Sequence, residues 1–440
     1  MLHLSTPVGI RQLSARYKDI AASAGISSSS LTSLLTGFFF GMDSVSDLVR
    51  SCPWTESVSS ISSDFGKFSS NCSHRFMRRA RNAILKKISS VASPDDRFCF
   101  AFDTTDNPRR IEGLRGSGHW ASSDGSIFHG LNLVVVALVD RKTGVALPVA
   151  WAPCLKPSEE EIHETAWEIV LKLLDELTLA GFPKVPVVGD SWFDGSPFMK
   201  QLADRGFTFV LELKSVRNVK TNISPNAQWH KAPEVLENEK KVASHSGTRE
   251  KEIPAGISGA KFINSMIIFL LIPQEDKSKM ASFRIAGAYN HAAEKTPFAV
   301  YITNDLSKPG TWLWGTARAR WNIEVLFRDL KQNFAWGKIP CRNQNAADAS
   351  IVLPFIIVIA LRLDDPALWA IDPRFAKSLG EMAGYVHESS FLASVNLLKK
   401  NPNHPLIERF SNRRDPIFSR KKPANIAAED RKFTQTAAAA

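Results

Sequence analysis

The chain has 440 residues, of which 44% are hydrophobic, and a formal net charge of +11 at pH 7. It is too long for one average domain but can fill the cores of two or three, and its positive charge suits a polyanionic partner such as nucleic acid. The five cysteines are scattered and form no C-x2-C pair, which argues against a disulfide framework or a structural zinc site and favours a reducing cytosol.

The N-terminal region, residues 1–94, is rich in serine and helical in its hydrophobic pattern. Residues 74–88 predict a basic amphipathic helix that carries Arg78 and Arg79. We interpret residues 1–94 as a helical module that recognises DNA, with Arg78 and Arg79 as DNA contacts. A basic face that is merely solvated is the alternative.

Two apolar runs each end in an aspartate. Residues 97–103 form an aromatic, strand-like run that ends in Asp103, and residues 185–190 repeat the pattern with Asp190. An acid at the end of a buried strand lies at the rim where α/β sheets build functional sites. Taken singly, each acid is more often an ordinary cap at a strand end.

Asp106 and Asp194 lie near these two acids in the sequence. We prefer Asp103 and Asp190 as site residues because each directly ends its apolar run.

The stretch around these acids alternates strand and helix patterns. Antiparallel strands come first and βαβ units follow, which predicts an α/β sheet that brings Asp103 and Asp190 together. The elements predicted after the first strand are a hairpin of 127–140 and 144–151, a helix at 158–180, a helix at 195–205 and a strand at 207–213.

A third acid lies within a predicted helix at residues 318–332. Arg320, Glu324 and Lys331 have the spacing R-x3-E-x6-K, and at about 100° per residue they share one stripe of a helix. A carboxylate between two such cations can hold a divalent cation beside phosphates. The alternative is a surface helix with i,i+4 ion pairs.

Three carboxylates without a cysteine or histidine cluster favour hard, oxygen-liganded ions, namely Mg²⁺ with Mn²⁺ as a substitute. Two such ions about 3.5–4 Å apart can activate an attacking oxygen and stabilise the leaving oxygen in phosphoryl transfer. Trp192 follows Asp190 closely and is a candidate for stacking on an unpaired base, with core packing as the favoured alternative.

On these residues the chain resembles the DDE transposases of bacterial insertion sequences, in the group with a Y-x2-R-x3-E-x6-K signature. The resemblance covers roughly residues 95–363. The residues that match the family's three acids and two basic positions are Asp103, Asp190, Glu324, Arg320 and Lys331.

One position departs from the signature, because Ala317 stands where the family has tyrosine. The contact of that tyrosine with the DNA backbone is therefore lost or supplied elsewhere. Trp314 and Trp321 are the candidates to replace it.

The resemblance implies an RNase H-like mixed sheet flanked by helices, two Mg²⁺ ions held by the three acids, and a homodimer that binds the ends of an element and target DNA. It also implies a β-rich insertion that contacts transposon DNA and helps to form a hairpin. The implied catalytic core comprises residues 95–214 and 297–363, separated by the insertion at 215–296. The stretch from Asp190 to Glu324 is indeed too long for a simple connection.

The C-terminal part begins after the longest apolar run, residues 351–361. This run is too short to span a bilayer and contains Pro354, so we expect a buried helix behind the Glu324 helix and no membrane association. Residues 364–440 predict a helix at 391–400 and a basic tail.

The leading hypothesis is a transposase that acts on double-stranded DNA in the bacterial cytoplasm, at the nucleoid. It would cut at the terminal inverted repeats of an element and join the 3′ ends to a target. A stand-alone, metal-dependent DNA nuclease and a catalytically silent DNA-binding protein are the alternatives.

Overall fold

The computed structural model describes residues 6–400, apart from residues 53, 54, 56, 109–113, 123–124, 156–163, 225, 247–261, 274–277, 292, 342 and 370–377. The predicted basic tail after residue 400 lies outside the described residues.

Short helices make up the N-terminal region, and its serines explain where several of them begin. Ser27, Ser44, Ser57 and Ser69 each precede a helix, and each side-chain oxygen accepts a hydrogen bond from a backbone N–H of the first turn. The helices are α1 (Val8–Ser23), α2 (Ser28–Phe39), α3 (Val45–Ser51), α4 (Val58–Phe65), α5 (Ser70–Ile88) and α6 (Pro94–Arg97).

A mixed sheet forms the centre of the molecule. Its first six strands are β1 (Phe98–Pro108), β2 (Ser117–Ala121), β3 (Ile127–Asp140), β4 (Ala146–Pro153), β5 (Val187–Gly189) and β6 (Phe209–Glu212). Strand β3 is antiparallel to both β1 and β4, whereas β5 is parallel to both β1 and β6. The order β4-β3-β1-β5-β6 confirms the predicted RNase H-like mixed sheet.

Two helices cover this sheet, α7 (Ala166–Leu179) and α8 (Ser196–Asp204). Helix α7 starts later than the predicted residue 158, because Thr165 and Glu168 form a capping box that fixes its first turn. Residues 156–163, which hold the start of the predicted helix, lie outside the described residues.

The predicted insertion adds strands to the central sheet. Strand β10 pairs with β11, and β11 pairs with β6, so the hairpin β9–β10 continues the sheet beyond its RNase H-like part. The segment also contains a helix that the sequence pattern did not suggest. Its elements are β7 (Asn218–Val219), β8 (His230–Lys231), α9 (Ala232–Ser246), β9 (Phe262–Pro273) and β10 (Ser278–Tyr289), and β11 (Ala299–Thr303) follows it.

The remaining helices are α10 (Gly310–Ala317), α11 (Trp321–Asn333), α12 (Gln344–Leu363) and α13 (Leu379–Lys400). A 3-10 turn, Arg318–Arg320, joins α10 to α11. Helix α13 begins earlier than the predicted residue 391, because the Ser378 hydroxyl accepts a hydrogen bond from the Glu381 N–H and caps its first turn.

Helix α12 carries the apolar run of residues 351–361 and is buried, as expected, between the N-terminal helices and the sheet. Phe355 of α12 packs on Trp336, and Trp336 stacks on Phe327 of α11, the helix that carries Glu324. Its length and apolarity match those of a membrane span, but most of it is enclosed by the fold, as in a core helix.

Candidate active site

The register of the central sheet brings the first two acids together. Phe100 pairs with Val187 and Ala101 with Val188 across the parallel strands β1 and β5. Two residues further on, the same register places Asp103 beside Asp190. Asp190 directly follows β5, as predicted, and its carboxylate accepts a hydrogen bond of 3.0 Å from the Trp192 N–H.

Asp103 lies within its strand, which differs from the prediction that it ends the strand. Strand β1 continues to Pro108 because residues 104–108 pair with residues 130–134 of the long strand β3. The sequence pattern marked the end of the apolar run, whereas the partner strand determines the end of β1.

Arg320 links the third acid to the sheet. Its Nη1 lies 2.6 Å from Oε1 of Glu324 and 3.4 Å from Oδ2 of Asp103. Arg320 belongs to the 3-10 turn before α11, and Glu324 lies in the first turn of that helix. The structure therefore brings Asp103, Asp190, Glu324 and Arg320 into one cluster.

The electrostatics of this cluster favour an added cation. Burial, followed by the charge of Asp190, raises the pKa of Asp103 to about 7, and Arg320 opposes that shift. Burial also raises the pKa of Asp190, again opposed by Arg320. Arg320, together with Lys214 near Asp190, offsets only part of the negative charge of the three carboxylates, and the remaining excess is relieved when a further cation binds.

Two residues of the site were missed by the sequence reasoning. Gly189 pairs with Leu211 across β5 and β6, so Asp190 lies beside Glu212, and Glu212 pairs with Tyr301 of β11. Neighbouring strands therefore carry a row of four polar side chains, which we call the transverse row: Asp103, Asp190, Glu212 and Tyr301.

Burial raises the pKa of all four members of the transverse row, and the charge of Arg320 opposes that rise at each of them. Glu212 could have been suspected from the sequence. It lies near the end of the apolar run at 207–213, the strand that follows Asp190, and parallel strands end at the same edge.

Lys331 is separate from the acid cluster. Burial lowers the pKa of its ammonium group, and Asp106 is the carboxylate that opposes this shift. Asp106 in turn accepts a hydrogen bond from Ser122 of the β2–β3 turn. Glu324 and Lys331 lie on α11, whereas Arg320 lies in the 3-10 turn before it, so the three residues do not share one continuous α-helix as predicted.

The tryptophans near the site differ in exposure. Trp192 is 72% exposed, which contradicts the core-packing alternative and leaves its ring open to a ligand. Trp314 is buried and packs against Tyr301 and Phe298, whereas Trp321 is 59% exposed. Of the two candidates for the missing tyrosine contact, only Trp321 is accessible.

The two predicted DNA contacts on α5 also differ. Arg78 is exposed. Arg79 forms two hydrogen bonds of 2.6 and 2.8 Å to the Asp19 carboxylate and lies over the ring of Tyr17. Arg79 therefore connects α5 to α1. A contact of either arginine with DNA stays a prediction.

The donor set suits a hard divalent ion, because carboxylate oxygens are the ligands that Mg²⁺ and Mn²⁺ prefer. Within the described ranges, however, no three acidic, histidine or cysteine side chains already converge on one point. Arg320 lies between Asp103 and Glu324.

Comparison with known proteins decides the family. The family model described as "Transposase DDE domain" matches residues 107–359, more than half of the chain. The chain belongs to the transposase DDE domain family. This confirms the family predicted from the sequence, and transposase DDE domains are metal-dependent.

Solved structures give more distant likenesses. A piggyBac transposase in a synaptic complex with hairpin DNA is 11% identical with a TM-score of 0.39, and the match covers 74% of this chain and 61% of that one. The present chain thus spans about three fifths of that transposase. A Ciona intestinalis endonuclease V in complex with a 23mer DNA is 9% identical with a TM-score of 0.27, over 60% of this chain and 99% of that one. No curated protein matched the chain.

Proposed function

We propose that this chain is a DNA transposase that cuts at the ends of a bacterial insertion element and joins the 3′ ends to target DNA. The observation that carries this proposal is a pair of relationships: the register of β1 and β5 places Asp190 beside Asp103, and Arg320 contacts both Asp103 and Glu324. The family assignment supports the same chemistry.

The three acids would hold two divalent cations, Mg²⁺ or Mn²⁺. When bound, these ions would activate the attacking oxygen and stabilise the leaving oxygen of the phosphodiester. The half-buried carboxylates supply the negative charge that attracts the ions, and the raised pKa of Asp103 means that cation binding also favours loss of its proton.

The basic and aromatic residues around the acids would hold double-stranded DNA. Arg320 and Lys331 suit backbone phosphates, which they would position without reading sequence. The exposed ring of Trp192 suits an unpaired base beside the acids. On α5, Arg78 is the better placed of the two arginines for a phosphate contact, because Arg79 is bonded to Asp19.

We also propose that the chain acts as a homodimer on DNA, in the bacterial cytoplasm at the nucleoid. In such a dimer, each copy would hold one element end, and the two ends would be kept together in one complex. The net charge of +11 is consistent with a DNA-bound assembly of this kind.

The test uses the purified chain, labelled DNA from both flanks of its own gene, an unlabelled target plasmid, and Mg²⁺ or Mn²⁺. We expect discrete, metal-dependent cuts at inverted sequences and labelled 3′ ends joined to the plasmid. Random cuts without joining would indicate that the chain is a stand-alone nuclease and not a transposase. Binding without cleavage would indicate a catalytically silent DNA-binding protein.

A further inference from the structure

The guanidinium of Arg320 holds two of the carboxylates that the proposed function assigns to the metal. One nitrogen, Nη1, contacts both Glu324 and Asp103. A carboxylate that coordinates a divalent cation loses most of its negative potential, and the cation repels a guanidinium at the same place. Cation binding and these two contacts of Arg320 therefore oppose each other.

Arg320 needs another anionic partner when it leaves these acids. Its guanidinium is largely buried, with 18% of the side chain exposed, and a buried charge without a partner is costly. Asp190 cannot serve, because it is a metal-ligand candidate itself. Glu212 is the next carboxylate of the transverse row, beside Asp190, and it has no assigned part in the reaction.

The environment of Glu212 suits this role. Burial raises the pKa of its carboxyl group, and among its charged neighbours Arg320 is the one that lowers it. Glu212 pairs with Tyr301 in the neighbouring strand β11, whose ring packs against Trp314 of α10. Glu212 is thus a half-buried acid on strand β6, and its carboxyl group is acted on by the charge of Arg320.

We propose that Glu212 is a positioning residue that receives Arg320 when a divalent cation takes Asp103 and Glu324. Glu212 keeps the guanidinium at the rim of the site, ready for a phosphate, instead of letting it compete with the cation. This inference rests on the proposed function, because it requires the three acids to bind a metal ion.

The experiment is a double-mutant cycle on Mn²⁺ binding, measured by isothermal titration calorimetry with the full chain and no DNA. The proteins are the unaltered chain, Arg320→Met, Glu212→Gln and the double variant. Arg328→Met is the matched control for Arg320→Met, because Arg328 is an exposed cation on α11, the helix that directly follows Arg320. Asp190→Asn reports whether the measured binding belongs to the acid cluster, and circular dichroism checks that each variant is folded.

We expect Arg320→Met to tighten Mn²⁺ binding by about fivefold and Glu212→Gln to weaken it by about fivefold, as is typical of directly coupled groups. In the Arg320→Met background, Glu212→Gln should have little further effect, because the group that it positions is gone. Glu212→Asp, which keeps the charge, should restore much of the affinity. Arg328→Met should leave the affinity nearly unchanged.

The outcomes separate this inference from the proposed function. If Glu212→Gln weakens binding equally in both backgrounds, Glu212 acts through its own charge or as a ligand, and the inference is wrong while the metal site stands. If Arg320→Met does not tighten binding, Arg320 does not compete with the cation and the inference is again wrong. If the unaltered chain shows no Mn²⁺ binding that Asp190→Asn removes, the proposed metal site fails and the inference fails with it.

Discussion

Arg81 of α5 donates a hydrogen bond of 2.6 Å from its Nε to the backbone oxygen of Val149 in β4. The guanidinium also lies 3.7 Å from the Glu176 carboxylate of α7, and only 15% of the Arg81 side chain is exposed. The N-terminal helices are therefore fixed to the sheet that carries the acids. DNA held by these helices would have a defined position relative to the cleavage site.

Loss of this connection should destabilise the fold. We expect Arg81→Met to lower the free energy of unfolding by about 1–3 kcal/mol, because the Val149 carbonyl loses its donor in a largely buried place. Urea denaturation followed by tryptophan fluorescence measures the change. The control is Arg78→Met, an exposed position on the same helix, which should stay within about 0.5 kcal/mol of the unaltered chain. Equal losses in the two variants would show that the hydrogen bond is unimportant.

Arg78 is instead expected to matter for DNA. Its replacement by alanine should weaken binding to all duplexes alike and reduce the slope of log affinity against log salt by about one, as is typical of a phosphate contact. Fluorescence anisotropy at several salt concentrations gives both quantities. Lys172→Ala, which removes an exposed cation on α7, should leave the slope unchanged. If the slope of log affinity against log salt is unchanged in Arg78→Ala, Arg78 of α5 does not contact a DNA phosphate.

Gly189 provides a test of the packing that places Asp190. A Cβ at Gly189 would lie 2.5 Å from two ring carbons of Phe102 and 3.1 Å from Cδ2 of Leu211. Gly189→Ala should therefore cost about 1–3 kcal/mol of stability, as overpacking of a core usually does, and should impair cleavage by displacing Asp190. Thermal denaturation and the cleavage assay measure the two effects.

The matched control for this substitution is Gly195→Ala. A Cβ there meets only the Pro197 Cδ, at 3.9 Å. Stability and cleavage should be close to those of the unaltered chain. If Gly189→Ala behaves like Gly195→Ala, the close contact between β1 and β5 does not position the acid.

His387 should make stability depend on pH. Burial between Phe39 and Phe40 lowers the pKa of this histidine below its ordinary value, although a contact of 3.0 Å with the Phe39 carbonyl opposes the shift. The unfolded chain takes up a proton at higher pH than the folded chain, so this contribution to stability is lost as pH falls through about 6.5, the ordinary pKa of an unfolded histidine, and below it. Urea denaturation at a series of pH values on both sides of that point should show a smaller loss of the free energy of unfolding for His387→Gln. If the free energy of unfolding depends on pH equally in the unaltered chain and in His387→Gln, this role of His387 is contradicted.

Local patterns were sufficient to find part of the site. Asp103 and Asp190 end apolar runs, and Glu324 lies between Arg320 and Lys331 at helical spacing, so each is visible in a short window of sequence. The RNase H-like order of strands could also be predicted, because it depends on a succession of strand and helix patterns that hydrophobic periodicity reveals.

Other features depend on contacts between distant parts of the chain. Tyr301 joins the site only through the register of β6 and β11, which no local pattern specifies. The same holds for the extension of the sheet by β9 and β10. The 3-10 turn that contains Arg320 was also not predicted, because the residues before Trp321 are compatible with a continuous helix.

The most direct test of the central claim compares Asp190→Asn with Asp175→Asn in metal-dependent cleavage of DNA from the flanks of the gene. Asp175 is the matched control, because its carboxylate pairs with Arg205 outside the acid cluster. We predict that Asp190→Asn binds the DNA as the unaltered chain does but makes no cuts, whereas Asp175→Asn cuts normally. Retained cleavage in Asp190→Asn would contradict the assignment of the active site.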